Sequence, residues 1–251
     1  MSEPHIEKSL EVISQAMDAA PRGVVAYSGG KESVALKHLL KPWADRLEFV
    51  WANTGAMLPH MRDFILGQGV TEVQSDQAQR FKAAGLPSRV VPIFNTPLGS
   101  LMEAAPQDRL LVSDWVTCCL SLRSQPIELY MRENGIGLEI HGQRAEDGVA
   151  AQYPRRILPL WNWTEQQVYS YVREHRLELP QQYSMGYPDS GECWNCTAQL
   201  SELRFKYLAD HHPEQWQQLR PSLLAVYGAL DAEQERTRAA LDVLQAEETQ
   251  P

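Results

Sequence analysis

The chain has 251 residues, 43% of them hydrophobic, with 23 Lys and Arg against 32 Asp and Glu and a formal net charge of −9. This length suits one α/β domain with an appendage, and the hydrophobic fraction with seven tryptophans excludes a disordered chain. The acidic balance excludes a broad nucleic-acid-binding face, which needs clustered Lys and Arg, but leaves room for a local basic pocket. No apolar run approaches the roughly 20 residues of a membrane span. The opening MSEPHIEKSLEV lacks a basic region followed by an apolar one, so a soluble cytoplasmic protein is expected. Glu233, Glu235, Asp242, Glu247 and Glu248 gather in the tail and read as a solvated helix face.

Ile6, Leu10, Ile13 and Met17 recur at helical spacing, predicting an amphipathic helix over residues 4–19 that Pro21 stops. Val24 to Tyr27 form a short apolar, partly β-branched run ending in Ser-Gly-Gly, which predicts a buried strand breaking into a tight turn. Ser33 then opens VALKHLL, apolar at helical spacing. LEFVWAN, Leu47 to Asn53, predicts a second strand, and strand–helix–strand implies a right-handed parallel crossover. A helix follows from Pro59 to Leu66, with strands at VVPIF from Val90 and LLVSD from Leu110. Another helix runs from Ser121 to Asn134, opening just after a pair of cysteines, and a strand covers Leu138 to His141. Thr164 is a good N-cap for WTEQQVYSYVREH, with Val168, Tyr171 and Val172 on one face. Residues 180–199 read as loop, and Ser201 to Gln245 as helical apart from breaks near Pro213 and Pro221. No internal repeat or clean linker interrupts this α/β pattern.

The turn Ser28-Gly29-Gly30-Lys31-Glu32-Ser33 suits an anion. Two glycines let the backbone approach closely, free N–H groups at a helix start point at negative charge, and Lys31, Ser28 and Ser33 add donors. Its spacing is neither G-x-x-x-x-G-K-[ST] nor G-x-G-x-x-G. Ligands of open parallel sheets sit beyond the carboxyl ends of the strands, where Asn53-Thr54-Gly55 would join the same crevice. All four cysteines fall in pairs, Cys118-Cys119 and Cys193/Cys196. Adjacent cysteines bridge poorly and a cytoplasmic protein rarely keeps disulfides. Four soft thiolates are a ligand set for zinc or an iron–sulfur cluster, and a vicinal pair is unusual for structural zinc. Trp161, Trp163, Tyr169 and Tyr171 are expected to pack the core, and His141 to be a strand-end residue.

SGGKES resembles the SGGxDS pyrophosphate loop of the PP-loop ATP-pyrophosphatase superfamily, with Glu32 where Asp is usual. The resemblance widens over roughly residues 22–200 to the phosphoadenylyl-sulfate and adenylyl-sulfate reductase family. It is carried by ANTGAMLPHMRDFI, CCLSLRSQPI, HGQRAEDG and the succession from PLWNWT to GECWNCT. It implies a doubly wound, mostly parallel sheet of the adenine nucleotide alpha hydrolase-like, Rossmann-like three-layer kind. Residues 1–200 would form the nucleotide-binding domain with its cluster, and residues 201–251 a helical C-terminal extension. It further implies a [4Fe–4S] cluster on Cys118, Cys119, Cys193 and Cys196, and an adenine nucleotide over Ser28–Ser33, Asn53–Gly55 and Gly142. Arg144 would face the phosphate or sulfate, with Arg123 and Arg156 as further candidates, because a guanidinium fork binds tetrahedral oxyanions bidentately. Lys31 and Arg144 are the expected catalytic residues, and a homodimer the expected assembly.

Two departures stand out. The family's reductases carry a nucleophilic cysteine in a Glu-Cys-Gly-Leu-His-like tail, whereas AALDVLQAEETQP has none. The loop keeps its lysine, as in members that split ATP into AMP and pyrophosphate. Three functions compete: ATP-dependent adenylylation coupled to sulfur transfer, with Mg²⁺, a partner protein and a nucleic-acid acceptor; an adenylyl-sulfate or phosphoadenylyl-sulfate reductase borrowing an external thiol; and a non-catalytic nucleotide- and cluster-binding regulator.

Overall fold

A computed structural model of the protein describes residues 3–102, 109–148, 155–190 and 192–248. The last three residues of the tail lie outside these, as do the side chains of Glu247 and Glu248. In chain order the elements are α1 (Pro4–Ala19), β1 (Gly23–Ala26), α2 (Lys31–Leu39), β2 (Leu47–Asn53), α3 (Pro59–Gly67), β3 (Thr71–Gln74), α4 (Gln77–Ala84), β4 (Leu86–Ser88) and α5 (Pro97–Met102). Then come β5 (Val112–Asp114), α6 (Trp115–Cys119), α7 (Gln125–Glu133), β6 (Leu138–His141), β7 (Arg156–Ile157), α8 (Glu165–Glu174), α9 (Glu202–His211) and α10 (Pro213–Glu248). No helix among the described residues is long and apolar enough to cross a membrane.

Two compact units alternate along the chain. The first takes Met1–Ser75 and Leu122–Cys193, the second Asp76–Ser121 and Trp194–Pro251. The last crossing between units falls at Cys193/Trp194.

The first unit is built on five parallel strands in the order β3-β2-β1-β6-β7. Successive strand side chains point to opposite faces, and both faces of this sheet are apolar. Val25 and Ile140 join Ile13 and Met17 of α1, Leu36 of α2 and Val168 of α8 in one cluster. Val24, Val50 and Ala52 meet Ile127 and Met131 of α7 in another. Helices thus cover both sides, which is why the strands read as continuous apolar runs. The chain steps outward from β1 through β2 to β3, then returns to the other side of β1 as β6. That reversal is a topological switch point, and the turns after β1 and β6 open at it. In the second unit β4 and β5 form a two-stranded parallel ladder, with α9 and α10 supplying the C-terminal helices.

A polar bridge fixes α1 to the entry of α8. The buried Ser9 hydroxyl donates to the Pro159 carbonyl at 2.6 Å and accepts from Trp163 Nε1 at 2.8 Å. Ser9→Ala leaves a buried indole N–H without an acceptor and is expected to lower stability by about 1–3 kcal/mol. Urea unfolding checks this, and adding Trp163→Phe should lessen the loss.

Several boundaries depart from the sequence reading. The helix after the glycine turn begins at Lys31, with Gly30 as its N-cap, so Lys31 and Glu32 belong to its first turn and not to the loop. VVPIF forms no strand: Val90 and Ile93 are 63% and 53% exposed, Pro92 lacks an N–H, and Ile93–Asn95 is a 3₁₀ turn. The helix expected from Ser121 starts at Trp115 instead. Asp114 caps it by accepting from the Thr117 N–H, so Cys118 and Cys119 are helical, and a π turn at Leu120–Ser124 leads into α7. α10 runs through Pro221 unbroken, with Leu219 and Val226 buried on either side to offset the lost backbone bond.

Candidate functional site

β1 ends in Ala26, and the chain turns through Gly29 at φ 75°, a left-handed conformation that glycine adopts without strain. A Cβ there would lie 2.6 Å from Ile65 Cγ1, so the turn and α3 meet too closely for any side chain. Ser28 Oγ accepts from Gly30 N at 3.3 Å, and Ser33 Oγ donates to Gly30 O at 2.8 Å, bracing the loop against α2.

Lys31 is the centre of this site. Its side chain is only 7% exposed, and its ammonium lies 3.1 Å from Glu32 Oε1, 3.2 Å from Glu165 Oε1 and 3.1 Å from the Pro188 carbonyl. The rings of Tyr169 and Tyr183 stand 5.5 and 5.8 Å away. Burial alone would lower its pKa, but Glu32 and Glu165 outweigh burial and raise it, so the ammonium stays charged. The backbone N–H of Lys31 donates to Tyr183 Oη at 3.0 Å. Tyr169, expected in the core, is half-buried beside Lys31 instead; Trp163 and Tyr171 do pack the core.

The turn after β6 brings up Arg144, 5% exposed. Its guanidinium holds Glu146 at 2.5 Å and Asp147 at 2.8 Å, and its Nε lies 3.2 Å from Glu32 Oε1 without completing a hydrogen bond. Glu32 therefore joins the two expected catalytic residues through one carboxylate oxygen. Gly142 packs against Glu32, since a Cβ on it would meet the Glu32 backbone at 3.3 Å. This charged cluster joins two cations, Lys31 and Arg144, to four carboxylates, Glu32, Glu146, Asp147 and Glu165. The other candidate arginines are engaged elsewhere: Arg123 pairs with Glu192, and Arg156 with Glu139 at 2.8 Å. Burial would raise the Glu139 carboxyl, yet His141 at 2.7 Å and Arg156 hold it down to about 2. His141 is thus tied to a strand carboxylate, as a strand-end residue.

Beyond β2, Asn53 Oδ1 accepts from Gly55 N at 2.8 Å, and Thr54 Oγ1 lies 3.4 Å from Cys193 Sγ. Cys193 has φ 52°, a left-handed value that a non-glycine residue keeps only where its surroundings impose it. It belongs to the first unit; Cys118, Cys119 and Cys196 belong to the second. None of the four forms a disulfide. Burial pushes the Cys118 thiol up to about 11, aided by Cys119 and Cys196 and opposed by Arg80. Arg80 Nε donates to Ser121 Oγ at 3.3 Å, while its buried Nη1 has no hydrogen-bond partner among the described residues. Four soft donors outside any disulfide, with a cation acting on one of them, fit an iron–sulfur cluster chemically. Among the described residues, however, no three His, Cys, Asp or Glu side chains are gathered as a metal site.

Tyr183, Glu165 and Pro188 were not legible as site residues, because each reaches Lys31 from a distant element. The one available signal was the position of Glu165 at the start of a well-capped helix.

A lysine-bearing glycine turn and an arginine turn at the switch point of a parallel sheet define an α/β protein whose candidate site suits an anion. Residues 92–199 match the phosphoadenosine phosphosulfate reductase domain. An adenosine 5'-phosphosulfate reductase of Deinococcus radiodurans is 31% identical over 97 residues, 35% of this chain and only 38% of the relative's length. Phosphoadenylyl-sulfate (PAPS) reductase from Candida auris, solved as a phosphate complex, has the same fold at TM-score 0.50 and 16% identity, over 75% of this chain and 94% of that one. The U34-tRNA thiolase NcsA from Methanococcus maripaludis, solved with its [4Fe-4S] cluster, is more distant, with TM-score 0.45 and 12% identity over 87% and 78% of the two chains. The chain is thus similar to the PAPS reductase domain over residues 92–199 and shares the fold of the Candida auris reductase.

Proposed function

We propose that this protein is an enzyme that binds ATP over Ser28–Ser33, with Asn53–Gly55 and Gly142 lining the seat, and activates an acceptor oxygen by adenylylation in support of sulfur transfer. The acceptor oxygen attacks the α-phosphorus, the bond to the β-phosphate oxygen breaks, and pyrophosphate leaves. A sulfide-level donor then displaces AMP, which carries the original oxygen away. Lys31 stabilises charge growing on the leaving pyrophosphate, and Arg144 takes a phosphate edge in its fork by exchanging Glu146 or Asp147 for it. Four carboxylates against two cations disfavour a bare triphosphate, so the substrate is its Mg²⁺ complex.

Cys118, Cys119, Cys193 and Cys196 are the proposed ligands of a [4Fe–4S] cluster, which would supply a soft, redox-capable sulfur-binding centre. Four cysteines outside any disulfide accord with a cytoplasmic setting. The net charge of −9 favours a partner protein to present a nucleic-acid acceptor, and a homodimer remains the proposed assembly. The observation that carries the reading is the charged, buried Lys31 at the start of α2, tied through Glu32 to Arg144. A second reading, a sulfonucleotide reductase using an external thiol, is favoured by the adenosine 5'-phosphosulfate reductase relative.

One assay separates them. Protein purified without oxygen is mixed with Mg²⁺-ATP, adenylyl sulfate or phosphoadenylyl sulfate, the last two with a thiol reductant. Pyrophosphate from ATP supports the first reading; sulfite from a sulfonucleotide replaces it with the second. Turnover of none of them leaves a nucleotide-binding regulator and overturns both.

A further inference from the structure

The segment following α8 lies directly on the glycine turn. Tyr183 Oη accepts the Lys31 N–H at 3.0 Å, the Pro188 carbonyl accepts from Lys31 Nζ at 3.1 Å, and a Cβ on Gly30 would lie 3.3 Å from Ser190 Cβ and 3.5 Å from Tyr183 Oη. Gln182 anchors the same segment to α3, its side-chain amide donating to Met61 Sδ at 2.7 Å and its Oε1 lying 3.2 Å from His60 Nε2. The first amide of α2 and the ammonium of Lys31, the two donors an incoming phosphate needs most, are therefore already engaged by Tyr183 and Pro188. Across Glu32, the 5%-exposed Arg144 keeps an Nε without a hydrogen-bond partner among the described residues.

We infer that Tyr183 is a built-in competitor for the phosphate seat, its hydroxyl standing where a phosphate oxygen would take the Lys31 amide, so that nucleotide binds by displacing the Gln181–Ser190 segment. This rests on the nucleotide reading above and adds the residue that sets its affinity. A phosphate oxygen makes the stronger, charge-assisted bond to the same N–H, so the exchange runs toward the nucleotide. The tyrosine bond lost on exchange lowers the affinity that an open loop would have.

Tyr183→Phe keeps the ring beside Lys31 and removes only the hydroxyl. It is expected to bind Mg²⁺-ATP about three- to tenfold more tightly than the unaltered protein, the equivalent of one net hydrogen bond, measured by calorimetry on the full chain. Equal or weaker binding overturns the inference, since a hydroxyl that helps hold the nucleotide must weaken binding when deleted. As a second measurement needing no variant, hydrogen exchange in the Gln181–Ser190 peptide should speed up when ATP is added to the unaltered protein. Unchanged or slower exchange there overturns the displacement. Absence of ATP binding by the unaltered protein would remove the function reading together with this one; binding with the wrong response to Tyr183→Phe removes this one alone.

Discussion

Lys31→Ala is expected to cut pyrophosphate release from ATP by at least about a hundredfold, the usual cost of removing one preorganised donor from a developing negative charge. The same change should leave the fold in place. Glu32 keeps Arg144 as a neighbour at 3.2 Å, and Glu165, with its side chain 49% exposed, turns to water. No carboxylate is left buried and alone, which is the situation that makes deletion of a charge expensive. Lys31→Arg should rescue little: a planar guanidinium does not fit where a compact ammonium sits between two tyrosine rings and two carboxylates. Pyrophosphate release measured beside thermal unfolding decides the point. A variant with normal melting and normal release would mean that Lys31 is only a structural charge.

The second large effect concerns the thiols. Cys193→Ser is expected to lose most of its iron and sulfide after anaerobic purification, together with the broad visible absorption of a cluster. Outer partners alone are worth about 10–100-fold in metal affinity, so loss of a direct ligand costs more. Serine keeps the shape and a contact to Thr54 Oγ1, which separates loss of a soft ligand from loss of local packing. Metal analysis gives two outcomes that sink the assignment: undiminished iron in Cys193→Ser, or stoichiometric zinc in the unaltered protein. Either would turn the four cysteines into something other than cluster ligands, while leaving the Lys31 experiment untouched.

Much of the scaffold was legible because its signals are local. Leu47–Asn53 and Leu138–His141 are apolar runs bounded by turn residues, and they form β2 and β6 with those limits. Thr164 announced α8 as its N-cap, and the structure adds a capping box with Gln167. Less visible were elements whose burial is decided elsewhere. β3 reads Thr-Glu-Val-Gln and lies at the sheet edge, half-exposed, so it carries no apolar run to notice. VVPIF carries the run but sits at the surface. At the site, the glycine turn, Lys31 and Arg144 stood out by motif. The cage around Lys31 did not, because Glu165, Tyr169, Tyr183 and Pro188 converge only once α8 has packed against α2. A half-buried tyrosine on a helix beside Val168, Tyr171 and Val172 looks like core from sequence alone.

The order of the sheet has a consequence for how the protein comes into being. Gly23 of β1 pairs with Leu47 on one side and with Leu138 on the other, so the central strand waits for a partner made far later in synthesis. Long-range parallel pairing of this kind is slow and leaves an apolar edge open in the meantime. A nascent chain that has emerged only through β3 would own the glycine turn and its lysine, yet neither the arginine turn nor the far wall of the sheet. Newly made protein should therefore gain nucleotide affinity late and abruptly, and depend on chaperones until then.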